Sequence, residues 1–204
     1  AGSGLSVTRT ISPVVVSVDS RSQITNDGTI SLSGGGGSGG NRGAAMLGTN
    51  DNNRLTNGPL GIITTVGAYN DGMGANGSGN TLTNTGTITT SGPFSYGMTA
   101  AWGQTNTGQA NNSTAVYMQG NNDRLTNSGT IHASGLGAEG VFSNTAGSGF
   151  TATIENQFGG KIISDQGPAL RTLNGATGIT NAGLLSGGNG TALNGGNGKI
   201  TFVL

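Results

Sequence analysis

The chain contains no cysteine among its 204 residues. This absence excludes disulfide bonds, thiol nucleophiles and metal sites built on thiolates. Charge is also scarce, since eight Lys and Arg residues balance eight Asp and Glu residues and the formal net charge is zero. Surfaces that bind nucleic acid concentrate Lys and Arg on one face. The composition therefore predicts no nucleic-acid partner.

Long apolar runs and aromatic side chains are the next features that the sequence lacks. The densest apolar cluster is 14–16, far short of the roughly 18 residues that a membrane helix needs, so we predict no membrane span in this chain. Aromatic residues make up 4% and all hydrophobic residues 32% of the chain, which argues against a compact globular core. Disordered chains usually have high net charge and no β-periodicity. The periodic Ile, Leu and Val residues here instead indicate an ordered repeat.

The sequence is rich in Gly, Thr, Asn and Ser, and it repeats one short phrase. The phrase reads LTNTGTI from Leu82, and related copies are ITNDGTI, LTNGPLGII, LTNSGTI, IENQFGGKI and ITNAGLL. Successive copies start 31, 27, 43, 29 and 25 residues apart. Apart from the third gap, this spacing is typical of solenoid proteins, in which each repeat stacks on its neighbours.

The alternation of apolar and polar residues within the phrase predicts that each copy forms a β-strand. In an extended strand, Leu82, Asn84, Gly86 and Ile88 share one face, and the intervening threonines share the other. Stacked copies would place one Asn of each copy above the next, where identical amides can satisfy each other as a ladder. The predicted ladder consists of Asn26, Asn57, Asn84, Asn127, Asn156 and Asn181. We predict an all-β fold, a parallel β-helix (β-solenoid) of about six to seven rungs with three short strands per rung.

The phrase also divides the chain. Residues 1–23 lack it and are predicted to form an N-terminal cap or exchange strand, whereas residues 24–204 carry the β-helix repeats. Apolar segments at 95–102 and 113–120 are candidates for the second strand of a rung. The long third gap is explained by a polar loop insertion at 103–112, which is either a recognition loop or a tolerated insertion.

The two ends of the repeat region have complementary features. A β-branched strand without its own phrase lies near the start, and an apolar strand, KITFVL, lies at the finish. Exposed strand edges recruit further strands, so the sequence predicts head-to-tail assembly into a filament. The possible assembly ends are Val14, Val15, Val16, Val18, Phe202 and Leu204.

Groups that could perform chemistry are few and dispersed. The only histidine, His132, occupies the position equivalent to Thr89 and is interpreted as a lone surface residue. Asp51 and Asp123 lie in similar turns ahead of their phrases, and the latter is interpreted as part of a solvated pair with Arg124. Hydrolytic β-helices need clustered carboxylates for acid–base catalysis. We therefore predict a protein that is not an enzyme and has no catalytic residues, cofactor or metal site.

The phrases NTGTI, NSGTI and NDGTI, with segments such as YGM and AVYMQG, resemble the passenger domains of bacterial autotransporters and related secreted surface adhesins. The resemblance covers residues 24–200. It implies a right-handed β-helix that is secreted to the extracellular space or the bacterial cell surface. It also implies a role in adhesion, self-association and biofilm formation.

The functional hypothesis from sequence is thus a secreted surface or extracellular-matrix structural protein. Its expected partners are further copies of itself, with glycans or a host or cell surface as further candidates. One alternative is a secreted polysaccharide-binding or polysaccharide-degrading β-helix protein, which would require carboxylates gathered on one face. Another is ice binding, suggested by the outward Thr87 and Thr89, which would require a regular threonine lattice.

Overall fold

The computed structural model describes residues 4–8, 14–34, 43–67, 70–75, 77–91, 98–100, 116–118, 121–134, 139–144, 149–188, 190–195 and 199–204. These residues form strands and turns, and no helix occurs among them. The strands lie in three parallel sheets of seven, eight and seven strands. The protein is therefore all-β.

The 22 described strands are distributed over the three sheets in a regular order. The first sheet contains, in order, β1 (Gly4–Thr8), β4 (Thr29–Ser33), β7 (Ile62–Val66), β10 (Thr87–Ser91), β14 (Thr130–Ala133), β17 (Lys161–Ser164) and β20 (Leu184–Gly187). The second contains β2 (Val14–Val18), β5 (Gly43–Gly48), β8 (Asn70–Ala75), β11 (Met98–Ala100), β12 (Val116–Met118), β15 (Val141–Asn144), β18 (Leu170–Leu173) and β21 (Leu193–Gly195). The third contains β3 (Gln23–Asn26), β6 (Arg54–Asn57), β9 (Thr81–Asn84), β13 (Asp123–Asn127), β16 (Thr151–Asn156), β19 (Ala176–Asn181) and β22 (Lys199–Val203).

The chain visits the three sheets in turn, and each strand pairs in parallel with its counterpart from the neighbouring repeat. This arrangement is a parallel β-solenoid, as the repeat predicts. The second sheet contains one additional strand, because β11 and β12 pair side by side. The two predicted apolar segments both contribute strands to this sheet, which accounts for the long third gap. The predicted loop at 103–112 between them lies outside the described residues.

The core consists of rows of apolar side chains that stack along the solenoid. In the third sheet the row contains Ile24, Leu55, Leu82, Leu125, Ile154 and Ile179. The first sheet contributes Ile30, Ile63, Ile88, Ile131 and Ile162. Each repeat thus buries only a few side chains against the repeats on either side, which is how a chain with little apolar content obtains a continuous core.

Glycine is required at the corner where the third sheet turns into the first. A Cβ at Gly129 would collide with the backbone oxygen of Gly86 in the neighbouring repeat and would lie 2.7 Å from the Thr85 carbonyl carbon. These are backbone atoms of the turn between β9 and β10, so they cannot move aside like the end of a flexible side chain. The glycine of the phrase therefore allows the backbones of neighbouring repeats to approach each other closely at this corner.

We expect Gly129→Ala to lower the free energy of unfolding by about 1 to 3 kcal/mol, since overpacking has that cost. The measurement is urea denaturation followed by circular dichroism. The matched control is Gly178→Ala in β19, where the nearest atom to the added Cβ is 3.9 Å away. That substitution should be neutral or slightly stabilising, because alanine loses less backbone entropy than glycine on folding. Equal effects from the two changes would contradict the close-approach explanation.

Candidate functional site

The feature that organises the solenoid is the row of phrase asparagines, here called the Asn ladder: Asn26, Asn57, Asn84, Asn127, Asn156 and Asn181. Each of the first five donates a side-chain hydrogen bond from Nδ2 to Oδ1 of the next, at distances of 2.8, 2.9, 3.0, 2.8 and 2.7 Å. The first five are at most 8% exposed and the sixth is half-buried. The bonds all run in one direction, so each can polarise the next.

The Asn ladder also binds the backbone of the corner. Asn57 Nδ2 lies 3.1 Å from the Gly61 carbonyl and 3.2 Å from the Thr87 carbonyl. Asn84 makes the equivalent bond to the carbonyl of Thr130 at 3.2 Å. These carbonyls belong to the turn and to the start of the first-sheet strands. The ladder amides therefore join neighbouring repeats and add a second donor to corner carbonyls such as that of Gly61, which also accepts from the Thr87 N–H at 2.9 Å.

A second row of buried polar side chains precedes the third sheet, and we call it the upstream Asx row: Asn53, Asn80 and Asp123. Each accepts a backbone hydrogen bond from the preceding repeat. Asn53 Oδ1 accepts from the Ser22 N–H at 3.1 Å, Asn80 Oδ1 from the Asn53 N–H at 2.9 Å, and Asp123 Oδ1 from the Asn80 N–H at 3.3 Å. All three side chains are at most 1% exposed. The row satisfies backbone donors where the chain enters the third sheet.

Sequence reasoning missed this row, although a signal was present in NRLTN, NTLTN and DRLTN, where an Asx residue precedes each phrase asparagine by four positions. The interpretation of Asp123 as a solvated turn residue equivalent to Asp51 is wrong. Asp51 is exposed and accepts the Ser78 N–H at 2.7 Å, whereas Asp123 is buried. Arg124 pairs instead with Glu155, at 2.7 Å. The burial of Asp123 follows from the register of β9 with β13. That register pairs Arg124 with Thr81 and so brings the preceding residue, Asp123, to the Asn80 N–H.

We expect Asn80→Leu to lower the free energy of unfolding by about 1 to 3 kcal/mol, because the buried Asn53 N–H would lose its acceptor. Chemical denaturation of the purified variant is the measurement. Thr81→Leu is a suitable control, since Thr81 is the adjacent residue and is only half-buried. If the control destabilises as much as Asn80→Leu, the upstream Asx row does not contribute through this bond.

One ion pair is buried on the second sheet. Glu139 is 2% exposed, and its Oε1 lies 2.8 Å from Nη1 of Arg171, whose side chain is 29% exposed. The Arg171 guanidinium carbon also lies 4.9 Å from the centre of the Phe142 ring, within range of a cation–π interaction. Phe142 and Arg171 are direct neighbours in the register of β15 and β18. The carboxylate therefore holds the guanidinium over the ring.

Other charged groups form pairs on the surface. His132 Nε2 lies 2.8 Å from Asp165 Oδ1, so the interpretation of His132 as a lone surface residue missed this partner. The hydrogen bond from Gln157, together with Arg124, lowers the pKa of Glu155. This interaction stabilises the fold at neutral pH and is lost as pH falls through the lowered pKa.

Within the described part of the chain, no three His, Cys, Asp or Glu side chains cluster as a metal site would require.

The predicted assembly ends lie at opposite ends of the solenoid. β2, which contains Val14, Val15, Val16 and Val18, is the outermost strand of the second sheet and pairs with β5. At the other end, β22 is the outermost strand of the third sheet, with Phe202 38% and Leu204 89% exposed. Strand exchange between copies, and the division of the chain at residue 23, stay predictions.

The outward face of the first sheet is mixed. Thr87, Thr89 and Ser91 project from β10, but the aligned positions in β7 are Ile62, Thr64 and Val66. The regular threonine lattice that ice binding would require is therefore interrupted by apolar residues. Among the described residues, no helix is long and apolar enough to cross a membrane.

Comparison with known proteins gave no match, whether by family models, by curated protein sequences or by solved structures. The resemblance to autotransporter passenger domains therefore stays a prediction from the phrases alone.

Proposed function

We propose that this chain is part of a secreted bacterial surface or extracellular-matrix protein with a structural role in adhesion, self-association and biofilm formation. The observation that supports this role best is the Asn ladder. It links successive repeats through buried hydrogen bonds and requires neither disulfides nor a large core. A repeat joined in this way suits a scaffold that must keep its shape outside the cell.

We further propose that the solenoid is a right-handed parallel β-helix of seven rungs with three strands per rung. The order of strands in the three sheets supports this count, with β12 as an additional strand in the middle. The right hand comes from the family resemblance. A crystal structure would test both points, and a left-handed path between the sheets would contradict the proposal.

A structural role is preferred to the polysaccharide-degrading alternative because three of the described acidic groups are engaged in the fold. Asp123 belongs to the upstream Asx row, Glu139 is paired with Arg171, and Glu155 is paired with Arg124. Each of these carboxylates has a partner that serves the fold. Acid–base catalysis on a glycan instead needs two carboxyl groups that face one cleft.

The proposed function is tested by immobilising the purified chain on beads and measuring clumping and attachment to bacterial or glycan-coated surfaces. Because the chain has so few charges, attraction cannot depend mainly on ion pairs. Clumping should therefore change little between low and physiological salt. Beads that neither clump nor attach would overturn the proposal, and a steep loss of clumping with moderate salt would contradict the expectation that association does not depend mainly on ion pairs.

One form of self-association that we propose is end-to-end assembly, in which β2 of one copy adds to the exposed strands at the β22 end of another. Strand addition of this kind repeats without closing and produces filaments. We expect the full chain to form filaments in negative-stain electron microscopy, and we expect deletion of residues 1–20 to abolish them. Filaments that persist unchanged in the deletion variant would show that these strands are not exchanged.

A further inference from the structure

Two turns of the solenoid differ from the others in a way that the Asn ladder does not explain. They are the turns of the stretched phrases, LTNGPLGII and IENQFGGKI, each of which has two additional residues between Asn and the final Gly. Each turn presents one large apolar side chain to solvent. Leu60 is 76% exposed and Phe158 is 91% exposed. Among the described residues, only Leu204 is a comparably exposed large hydrophobic residue, at 89%.

Both side chains lie on the same corner of the solenoid, between the third and the first sheet. Leu60 follows β6 and Phe158 follows β16, and these strands are three positions apart in the third sheet. At about 4.8 Å per strand, the separation along the axis is about 14 Å. The two intervening turns contain the small residues Thr85 and Ser128. The corner therefore has two apolar projections with a shallow polar depression between them.

The two projections have opposite charges beside them. A Cβ at Gly58 would collide with the Asp27 carboxylate, so this exposed acid lies against the turn that carries Leu60. Lys161 is exposed at the start of β17, three residues after Phe158. Glu155 accepts a hydrogen bond from Gln157 beside Phe158, but its charge is balanced by Arg124. Asp27 therefore makes the Leu60 end of the corner acidic, and Lys161 makes the Phe158 end basic.

We propose that this corner is a self-complementary surface that pairs two copies of the chain side by side in antiparallel orientation. A two-fold axis midway between the projections would seat Leu60 of each copy against the partner's Phe158. The same axis brings Asp27 towards the partner's Lys161, and it sets Thr85 opposite the partner's Ser128. A parallel pairing would instead place like charges together. This inference rests on the self-association in the proposed function and assigns it a surface.

The absence of cysteine from the chain allows a direct test by crosslinking. The L60C and F158C variants are purified separately, mixed and oxidised under mild conditions. We expect a covalent dimer from the mixture and little from either variant alone, because the antiparallel pair brings position 60 only to position 158. Crosslinking of L60C alone as readily as the mixture would overturn the antiparallel orientation, and no crosslinking in any sample would overturn the surface.

Sedimentation velocity gives an independent measurement. Leu60→Ser and Phe158→Ser should each weaken the dimer by at least about tenfold, since each substitution removes two symmetry-related contacts of an exposed anchor. Val66→Ser, which changes a 48% exposed apolar residue on the first sheet, should leave association unchanged. Circular dichroism should show unaltered folding in all three variants, because the side chains are exposed.

A charge exchange completes the test. Asp27→Lys and Lys161→Asp should each weaken association, and the double variant should restore it. If the wild-type chain self-associates but none of these substitutions alters the affinity, the corner is not the interface and the proposed self-association stands. If the wild-type chain stays monomeric at every concentration, the self-association of the proposed function is overturned, and the pairing with it.

Discussion

Replacing Asn84 by leucine should lower the free energy of unfolding by about 2 to 6 kcal/mol, because two groups lose a buried partner at about 1 to 3 kcal/mol each. The change removes the acceptor of Asn57 Nδ2 and the donor to Asn127 Oδ1. Leucine has the same number of side-chain heavy atoms and the same branching as asparagine, so the substitution leaves no cavity. Chemical denaturation monitored by circular dichroism is the measurement.

The control for this prediction is Asn181→Leu. Asn181 is the last member of the Asn ladder, is half-buried, and accepts from Asn156 on one side only. Water can reach it and replace part of the lost bonding, so its substitution should cost clearly less than that of Asn84. If the two variants are equally stable, the ladder does not stabilise the fold through its buried interior amides.

Replacing Arg171 by leucine should lower the free energy of unfolding by about 3 kcal/mol, because it deprives the buried Glu139 carboxylate of its guanidinium partner. This value is the lower end of the range for a broken buried pair, since the Arg171 side chain is 29% exposed. Thermal or chemical denaturation of the variant provides the measurement. The second substitution Glu139→Leu, added to the first, should recover most of the loss, because no buried charge then remains.

The matched control is Arg124→Leu, which breaks the ion pair with Glu155. The Arg124 side chain is 55% exposed, and exposed pairs contribute about 0 to 1 kcal/mol. A loss at Arg124 equal to that at Arg171 would mean that burial of the acid is not the cause. Failure of the double variant to recover stability would mean that Arg171 acts mainly through its contact with Phe142.

The repeat of one phrase was sufficient to predict the stacked parallel strands and the asparagines that lie in one row. Both follow from short-range rules. Alternation along a strand assigns Leu82 and Asn84 to the same face, and identical copies placed in register bring identical side chains together. The same rules hold in the first sheet, where Ile63, Ile88 and Ile131 align.

Other contacts were decided by the tertiary structure, because they depend on which residues of unlike segments become neighbours after loops of different length. Glu139 and Arg171 are 32 residues apart in the sequence, and no repeated pattern connects them. His132 meets Asp165 only because β14 and β17 pair in a particular register. The additional strand in the second sheet likewise depends on β11 and β12 lying side by side.

The positions of Leu60 and Phe158 depend partly on the sequence and partly on the folded chain. The sequence by itself determined that two phrase copies are longer than the others and that each carries an apolar residue in its turn. Only the folded chain decided that these turns lie on one corner, three strands apart, with both side chains exposed. The physical reason is that local spacing sets which residues form each turn, whereas the stacking of repeats sets which turns share a surface.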